Sequence, residues 1–386
     1  MRIVDVTSFF SAKSGGIKRY YREKAEVLPR RGLDCHFVTP GPAHGESALG
    51  RGTLHTIAGP SVPFSREYHL FRSGGALGRL LIRLQPDVVE VGSHYFLPAM
   101  IHRALAPLGA RRPAVVGFFH TDFPRQLVEP LARRFLPTSL AGRAVAAAWR
   151  FVRRQFGRYD ATLVASRQIA DWLAELGVPH VRWVGLGVDV DTFRPPPAPP
   201  LAATNTGAPL VTYLGRFSPE KELGLLMTAW DDVHARTGAR LRFVGNGPSR
   251  AAIAAFARDR PSVSVEPYLD RPADVAAALG ATDVAVLTSG TETFSLATAE
   301  AMACGTPVVG PARGAVGELI EDSGAGRTFI AGSPGSLGDV LSSLLARPQA
   351  ARRALGQRGR EHIARHFTWD AVATRLTDAY RSVMAS

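Results

Sequence analysis

Short apolar runs alternate along the chain with longer stretches in which apolar positions recur every three or four residues. This is the pattern of strands and helices alternating around parallel sheets. In the first half Arg2–Val6, Cys35–Thr39, Asp87–Val91, Ala114–Phe118, Ala161–Ala165 and Val181–Val184 read as buried strands. A second series comprises Leu210–Leu214, Leu241–Val244, Val263–Pro267, Val284–Leu287 and Pro307–Val309. Between them, Phe193-Arg-Pro-Pro-Pro-Ala-Pro-Pro opens a stretch in which repeated proline excludes helix and most ladder hydrogen bonds. The pattern therefore predicts an α/β domain over 1–190, a Pro-rich linker over 191–207 and a second α/β domain over 208–366. A last amphipathic helix is predicted over 367–386, with Thr368 as its N-cap, crossing back to the first domain. Two open sheets joined in this way create a cleft, and ligands of such sheets gather at the carboxyl ends of the strands.

Composition narrows the class. A chain of 386 residues with 46% apolar content can build two cores. No run approaches the roughly 18 to 20 apolar residues that span a bilayer, and Met1-Arg-Ile-Val-Asp-Val reads as a first strand rather than a signal peptide, so a soluble cytoplasmic protein is expected. Cys35 and Cys304 are too few and too far apart for a disulfide framework or a cysteine metal site. The formal charge of +13 has two readings, a polyanionic partner or the arginine-rich composition of GC-rich coding. Only four lysines occur, Lys13, Lys18, Lys24 and Lys221, so each stands out. No module that combines stacking aromatics with basic residues is present, and nucleic acid is not expected as a partner.

Five segments carry candidate chemistry. Ser14-Gly15-Gly16-Ile17-Lys18-Arg19 follows the first strand and leads into a helix, where paired glycines and a helix N-terminus suit a phosphate. The fourth strand of the first series ends in His120-Thr121-Asp122, and a neighbouring strand ends in Ser93-His94-Tyr95, so polar side chains converge at one sheet edge. In the second series Gly215-Arg216 precedes Lys221, two cations able to neutralise a departing diphosphate without a metal. Gly245-Asn246-Gly247-Pro248 has the first two glycines of a dinucleotide fingerprint, but Arg250 stands at the third and no acid ends the next strand. A nicotinamide is therefore disfavoured, and close approach to a nucleotide or diphosphate remains open.

The most informative segment runs from Thr288 to Val309. Glu292 and Glu300 lie eight residues apart, about 80° apart on a continuous helix. With Glu292 ahead of the helix and Glu300 inside it, one carboxylate can accept sugar hydroxyls and the other ribose hydroxyls, while the amides of Phe294, Ser295 and Leu296 meet phosphate.

In combination and in order, the early Gly-Gly, Gly215-Arg-x4-Lys221, Gly245-x-Gly-Pro, and Glu292-x7-Glu300 before Gly305-Thr-Pro-Val-Val resemble the GT-B fold glycosyltransferases of family 4. The resemblance covers nearly the whole chain. It implies two Rossmann-like domains facing across a cleft, retention of anomeric configuration, no metal and no resident cofactor. It further implies that Gly16 meets the donor diphosphate, Arg216 and Lys221 hold it, Glu292 contacts the donor sugar and Glu300 the ribose, with His120 near the reacting sugar. Gly15, Gly215, Gly245 and Asn246 fall on the donor side, and Lys18, Arg19, His94, Tyr95 and Asp122 on the acceptor side. His120-Thr-Asp-Phe-Pro and Thr291-Glu-Thr-Phe resemble a subgroup rich in mannosyl- and glycolipid-forming enzymes, implying GDP-mannose or a UDP-hexose as donor and a glycan, glycolipid or small molecule as acceptor. Ser295 departs from a position where glycine is common, and Leu296 from one where the subgroup often has asparagine. A GT-B epimerase and a non-catalytic sugar-nucleotide binder share the architecture and stay as alternatives.

Leu131–Tyr159 contains seven arginines and no acid, with Val145, Ala148, Trp149, Val152 and Phe156 at helical spacing. Two readings fit: a basic amphipathic helix lying on the inner face of an anionic membrane, or a core-facing helix with a solvated basic side.

Overall fold

A computed structural model describes residues 1–10, 15–62, 65–72, 74–93, 97–196 and 207–385. Ser14, His94, Tyr95 and linker positions 197–206 lie outside the described residues. The chain divides into two compact units, Met1–Gly187 with Trp369–Ser386, and Val188–Thr368.

The strands of the first unit are β1 (Arg2–Val6), β2 (Asp34–Gly41), β3 (Gly45–Leu49), β4 (Gly52–Ala58), β5 (Ser61–Val62), β6 (Ser65–His69), β7 (Val88–Val91), β8 (Ala114–Phe119), β9 (Ala161–Val164) and β10 (Val181–Trp183). Eight of them form one sheet in the order β10-β9-β8-β7-β1-β2-β4-β3, parallel except for the β3–β4 hairpin at its edge. β5 and β6 make a separate antiparallel pair. Helices α1 (Gly15–Arg30), α2 (Gly74–Leu84), α3 (Leu97–Leu105), α4 (Glu129–Phe135), α5 (Thr138–Phe156) and α6 (Arg167–Glu175) connect the strands. All four residues of β7 and of β9 are buried, as strands covered on both faces must be.

The second unit holds β11 (Leu210–Leu214), β12 (Arg240–Val244), β13 (Val263–Glu266), β14 (Val284–Val286), β15 (Val308–Pro311) and β16 (Gly326–Phe329). They form an all-parallel sheet in the order β13-β12-β11-β14-β15-β16. Its helices are α7 (Leu223–Thr237), α8 (Arg250–Arg258), α9 (Pro272–Gly280), α10 (Leu296–Ala303), α11 (Gly314–Ser323), α12 (Pro334–Leu345) and α13 (Gln349–His366). The final helix α14 (Trp369–Met384) belongs to the first unit. Among the described residues no helix is long and apolar enough to cross a membrane.

Strand order fixes where ligands can gather. In each sheet the winding reverses beside the first strand, between β1 and β7 and between β11 and β14. At such a reversal the connections leave toward opposite faces and open a crevice at the carboxyl ends.

Candidate functional site

In the second unit the crevice lies between the segments that follow β11 and β14. Gly215, Gly245 and Gly247 have φ of +156°, +152° and +154°. A Cβ on Gly245 would stand 1.9 Å from the Gly215 carbonyl oxygen, and one on Gly247 2.4 Å from that of Phe217. The segments after β11 and β12 therefore stack backbone on backbone. Phe217 N–H donates to the Asn246 carbonyl at 2.9 Å, and Ser249 N–H to that of Phe217 at 2.8 Å. Gly245→Ala is expected to destabilise the protein by about 2 to 3 kcal/mol, since neither backbone can yield without losing these bonds. An unchanged thermal midpoint would show that the contact is not tight. Arg250, at the third fingerprint position, donates to the carbonyls of Gly245 at 2.8 Å and Glu266 at 3.4 Å, so it ties strand ends together. Asn246 is exposed, and its side-chain oxygen accepts from the Gly247 amide at 2.9 Å.

Arg216 stands exposed at the end of β11, its carbonyl held by the Tyr213 hydroxyl at 3.0 Å. Lys221 closes the next turn, where the Thr288 hydroxyl donates to its carbonyl, and its ammonium forms an ion pair with Glu292. Both side chains keep about a fifth of their surface exposed. The pair bridges the two lips of the crevice, and solvent can reach each member.

The Glu292 segment is clamped on its other side. Glu222, in a left-handed conformation at φ +51°, accepts from the Gly290 amide and faces the Arg313 guanidinium. Gly314, at φ +70°, brings its Cα so close that a Cβ would lie 2.7 Å from the Gly290 carbonyl oxygen, and the Ala315 amide donates to the Glu292 carbonyl at 3.3 Å. Glu222, Thr288 and Arg313 were not among the sequence candidates. The available signals were Glu222 beside the rare Lys221, and Arg313-Gly314 directly after a strand.

Ser295 precedes α10 with φ +71°, a conformation of order 1 to 3 kcal/mol unfavourable for a residue with a Cβ. That backbone is the physical reason glycine suits the position. The Ser295 and Thr298 hydroxyls bond at 2.8 Å, Phe294 is buried against Phe367, and Leu296 is half-buried. Glu300 is buried within α10 amid Ala301, Met302 and Ala303.

In the first unit the crevice holds the start of α1. Gly15 and Gly16 form its first helical turn rather than a turn ahead of it, and Lys18 and Arg19 follow, half-buried. The end of β1 is joined to the end of β7 through Ser93, whose hydroxyl lies 3.2 Å from that of Thr7 and accepts from the Ser8 amide at 2.8 Å. His120, at the end of β8, stacks on Phe118 with ring centroids 4.0 Å apart and meets the edge of Tyr20 from α1 at 5.1 Å. The histidine and the glycine turn are thus brought together through Tyr20. Asp122 is buried; it accepts from the Arg125 amide at 3.1 Å and guanidinium at 3.2 Å, and Arg125 lies over the Trp172 ring at 4.1 Å. Its carboxylate shapes the turn after His120.

Beneath α1 lies a buried charge cluster. Lys24 Nζ donates to Asp5 at 2.6 Å and to Glu90 at 2.7 Å, all three side chains being fully enclosed. Tyr21 donates to Asp5 at 2.9 Å, and Tyr380 from α14 to Glu90 at 2.5 Å. Burial pushes the Asp5 carboxyl up to about 7 despite Lys24, whereas for Glu90 the attraction and hydrogen bond of Lys24 outweigh burial and hold it below the usual range. Lys24 is therefore a core residue and not a contact for a soluble anion.

Val152 and Phe156 of α5 are buried in the core of the first unit, with Trp149 packed against it. Of the two sequence readings, the apolar face of α5 follows the core-facing one.

The fold matches that of sucrose-phosphate synthase from Thermosynechococcus elongatus with a TM-score of 0.79 at 20% identity, covering 100% of this chain and 99% of the other. Two parallel-sheet units with crevices at their strand ends make this a GT-B glycosyltransferase fold. Residues 14–192 match the model described as Glycosyltransferase Family 4, and residues 208–347 that of Glycosyl transferases group 1. A D-inositol 3-phosphate glycosyltransferase from Xylanimonas cellulosilytica is 32% identical, with 95% of this chain and 91% of the relative covered. A GDP-mannose-dependent alpha-(1-6)-phosphatidylinositol dimannoside mannosyltransferase from Mycobacterium tuberculosis is 27% identical, with 97% and 95% covered. The chain belongs to glycosyltransferase family 4.

Proposed function

We propose that the chain transfers a hexose from a nucleoside diphosphate donor to a hydroxyl acceptor, with retention of configuration and without a metal. The observation that carries this reading is the Lys221–Glu292 pair at the winding reversal of the second sheet, with Arg216 exposed at the end of β11. Arg216 and Lys221 supply the positive charge that a leaving diphosphate demands. Glu292 accepts sugar hydroxyls and Glu300 the ribose hydroxyls, while the amides of Phe294, Ser295 and Leu296 meet phosphate at the start of α10. As the bond between the anomeric carbon and the diphosphate breaks, the acceptor oxygen bonds to that carbon from the same face. Its proton passes to a diphosphate oxygen, so no side chain acts as covalent nucleophile. His120 lies on the acceptor side, with Lys18 and Arg19.

The mycobacterial relative's dependence on GDP-mannose favours that donor, with a UDP-hexose as the alternative; the inositol-bearing acceptors named for both relatives favour an acceptor of that kind. Thermal shift with GDP and UDP sugars, followed by NMR of the product, is expected to return an α-linked product from an α-linked donor. Inversion would overturn the retaining reading. Activity is expected to survive a strong chelator, and a loss reversed by Mg²⁺ would contradict metal independence.

A further inference from the structure

Large apolar side chains left in solvent are concentrated in one place. Of the ten exposed large hydrophobic residues among the described residues, five, Leu127, Leu131, Phe135, Leu136 and Leu140, lie within the short stretch that ends the turn after β8, forms α4 and begins α5. Phe135 is 69% exposed, and every residue from Arg133 to Leu140 is exposed. Scattered exposed leucines need no explanation, but a contiguous ridge on one corner does.

The surroundings say what covers it. Between Pro124 and Tyr159 the chain carries eight arginines and a single carboxylate, Glu129, which is engaged by Arg133 at 2.7 Å. On α5, Leu140, Arg143, Ala147, Arg150 and Arg154 recur at alternating spacings of three and four and are all exposed, so they form one solvent-facing stripe. From Leu140 to Arg154 the stripe runs about 21 Å along the helix. At its far end Arg150, Arg153 and Arg154 line, with Gly157, Gly177 and Pro179, a depression of about 540 Å³. These three arginines have no carboxylate partner within ion-pair distance among the described residues.

We infer that this corner docks on an anionic lipid bilayer, the Leu127–Leu140 ridge entering the interface and the α5 arginines meeting lipid phosphates. A protein partner would bury the ridge as well, but a continuous basic stripe free of acids, extending well beyond the apolar residues, matches a uniformly negative plane. Apolar area and positive charge in one surface are the two contributions to interfacial binding, and together they hold what either alone holds only weakly. The inserting residues differ from the apolar face of α5, which faces the core. The inference goes beyond the donor reading and is independent of which sugar is transferred.

The test is flotation of the full-length protein with phosphatidylcholine vesicles, with and without phosphatidylglycerol. Binding is expected to be roughly tenfold stronger with the anionic lipid at about 0.1 M salt and to weaken steeply as salt rises. Changing Phe135, Leu136 and Leu140 together to serine is expected to lower binding to both kinds of vesicle. Changing Arg150, Arg153 and Arg154 to glutamine removes only the anionic preference. All six positions are exposed, so thermal midpoints and the nucleotide-induced thermal shift should stay at wild-type values, separating failure here from failure of the donor reading. Equal binding to both vesicles, unaltered binding of the serine variant, or lipid-free self-association that the serine variant abolishes would each overturn the inference.

Discussion

Glu292→Ala is expected to lower kcat/KM by about a thousandfold while nucleotide diphosphate binding changes little, a loss of about 4 kcal/mol of transition-state stabilisation. The carboxylate is ion-paired to Lys221 and partly open to solvent, so its removal leaves no buried group unpaired and the fold should persist. Lost rate would then report lost contact with the sugar and lost positioning of the Lys221 ammonium. Glu292→Gln separates the two: the amide oxygen still accepts a sugar hydroxyl but carries no charge to pair with the Lys221 ammonium, and an intermediate rate is expected. Lys221→Ala should in contrast weaken binding of the diphosphate itself. Wild-type turnover in Glu292→Ala would remove the residue from the site.

Lys24→Met is expected to cost about 3 to 5 kcal/mol of folding stability, read from the shift of a urea unfolding midpoint. The ammonium is the cation shared by the enclosed Asp5 and Glu90, and without it two carboxylates face each other in the core. Against a total stability of roughly 5 to 15 kcal/mol, that loss leaves the first unit marginal. A pH dependence follows from Asp5. With its carboxyl near 7 in the folded chain and near its ordinary value when unfolded, the folded state binds the extra proton between about pH 4 and 7. Stability from this group is therefore present at the acid end of that window and lost as pH rises through 7. Glu90, held low, acts in the opposite sense, its contribution fading only as pH falls below the usual carboxylate range. Asp5→Asn copies the neutral side chain and should flatten the decline between about pH 4 and 7. A wild-type slope in that variant would locate the pH dependence elsewhere.

Strands such as Val284–Val286 could be read from sequence because they are covered on both faces and show as uninterrupted apolar runs. β3 escaped because its first four residues are exposed, and β16 because Arg327 and Thr328 interrupt it. The glycine pair was legible as a phosphate-suited element, but its place inside the first turn of α1 was not, since glycine carries little preference at a helix N-terminus. Individual site residues could be picked out by motif, whereas the pairing of Lys221 with Glu292, 71 positions apart, depends on strand order. The buried cluster was invisible for another reason. Asp5 and Glu90 look like breaks in apolar strands until α1 and α14 supply their partners.

The Tyr380–Glu90 hydrogen bond joins positions 290 residues apart and brings the last helix of the chain into the first unit. During synthesis, at roughly 5 to 20 residues per second, Glu90 leaves the ribosome some 15 to 60 s before the tyrosine that partners it. Once β10 has been made, the first unit has all its strands but still lacks the helix that covers one side of its charged core, while Val188–Thr368 can fold as a continuous segment. The second half of the polypeptide is thus free to reach its native form before the first, and a nascent chain arrested short of Tyr380 should offer Lys24 and its carboxylates to solvent, where proteases and chaperones can find them.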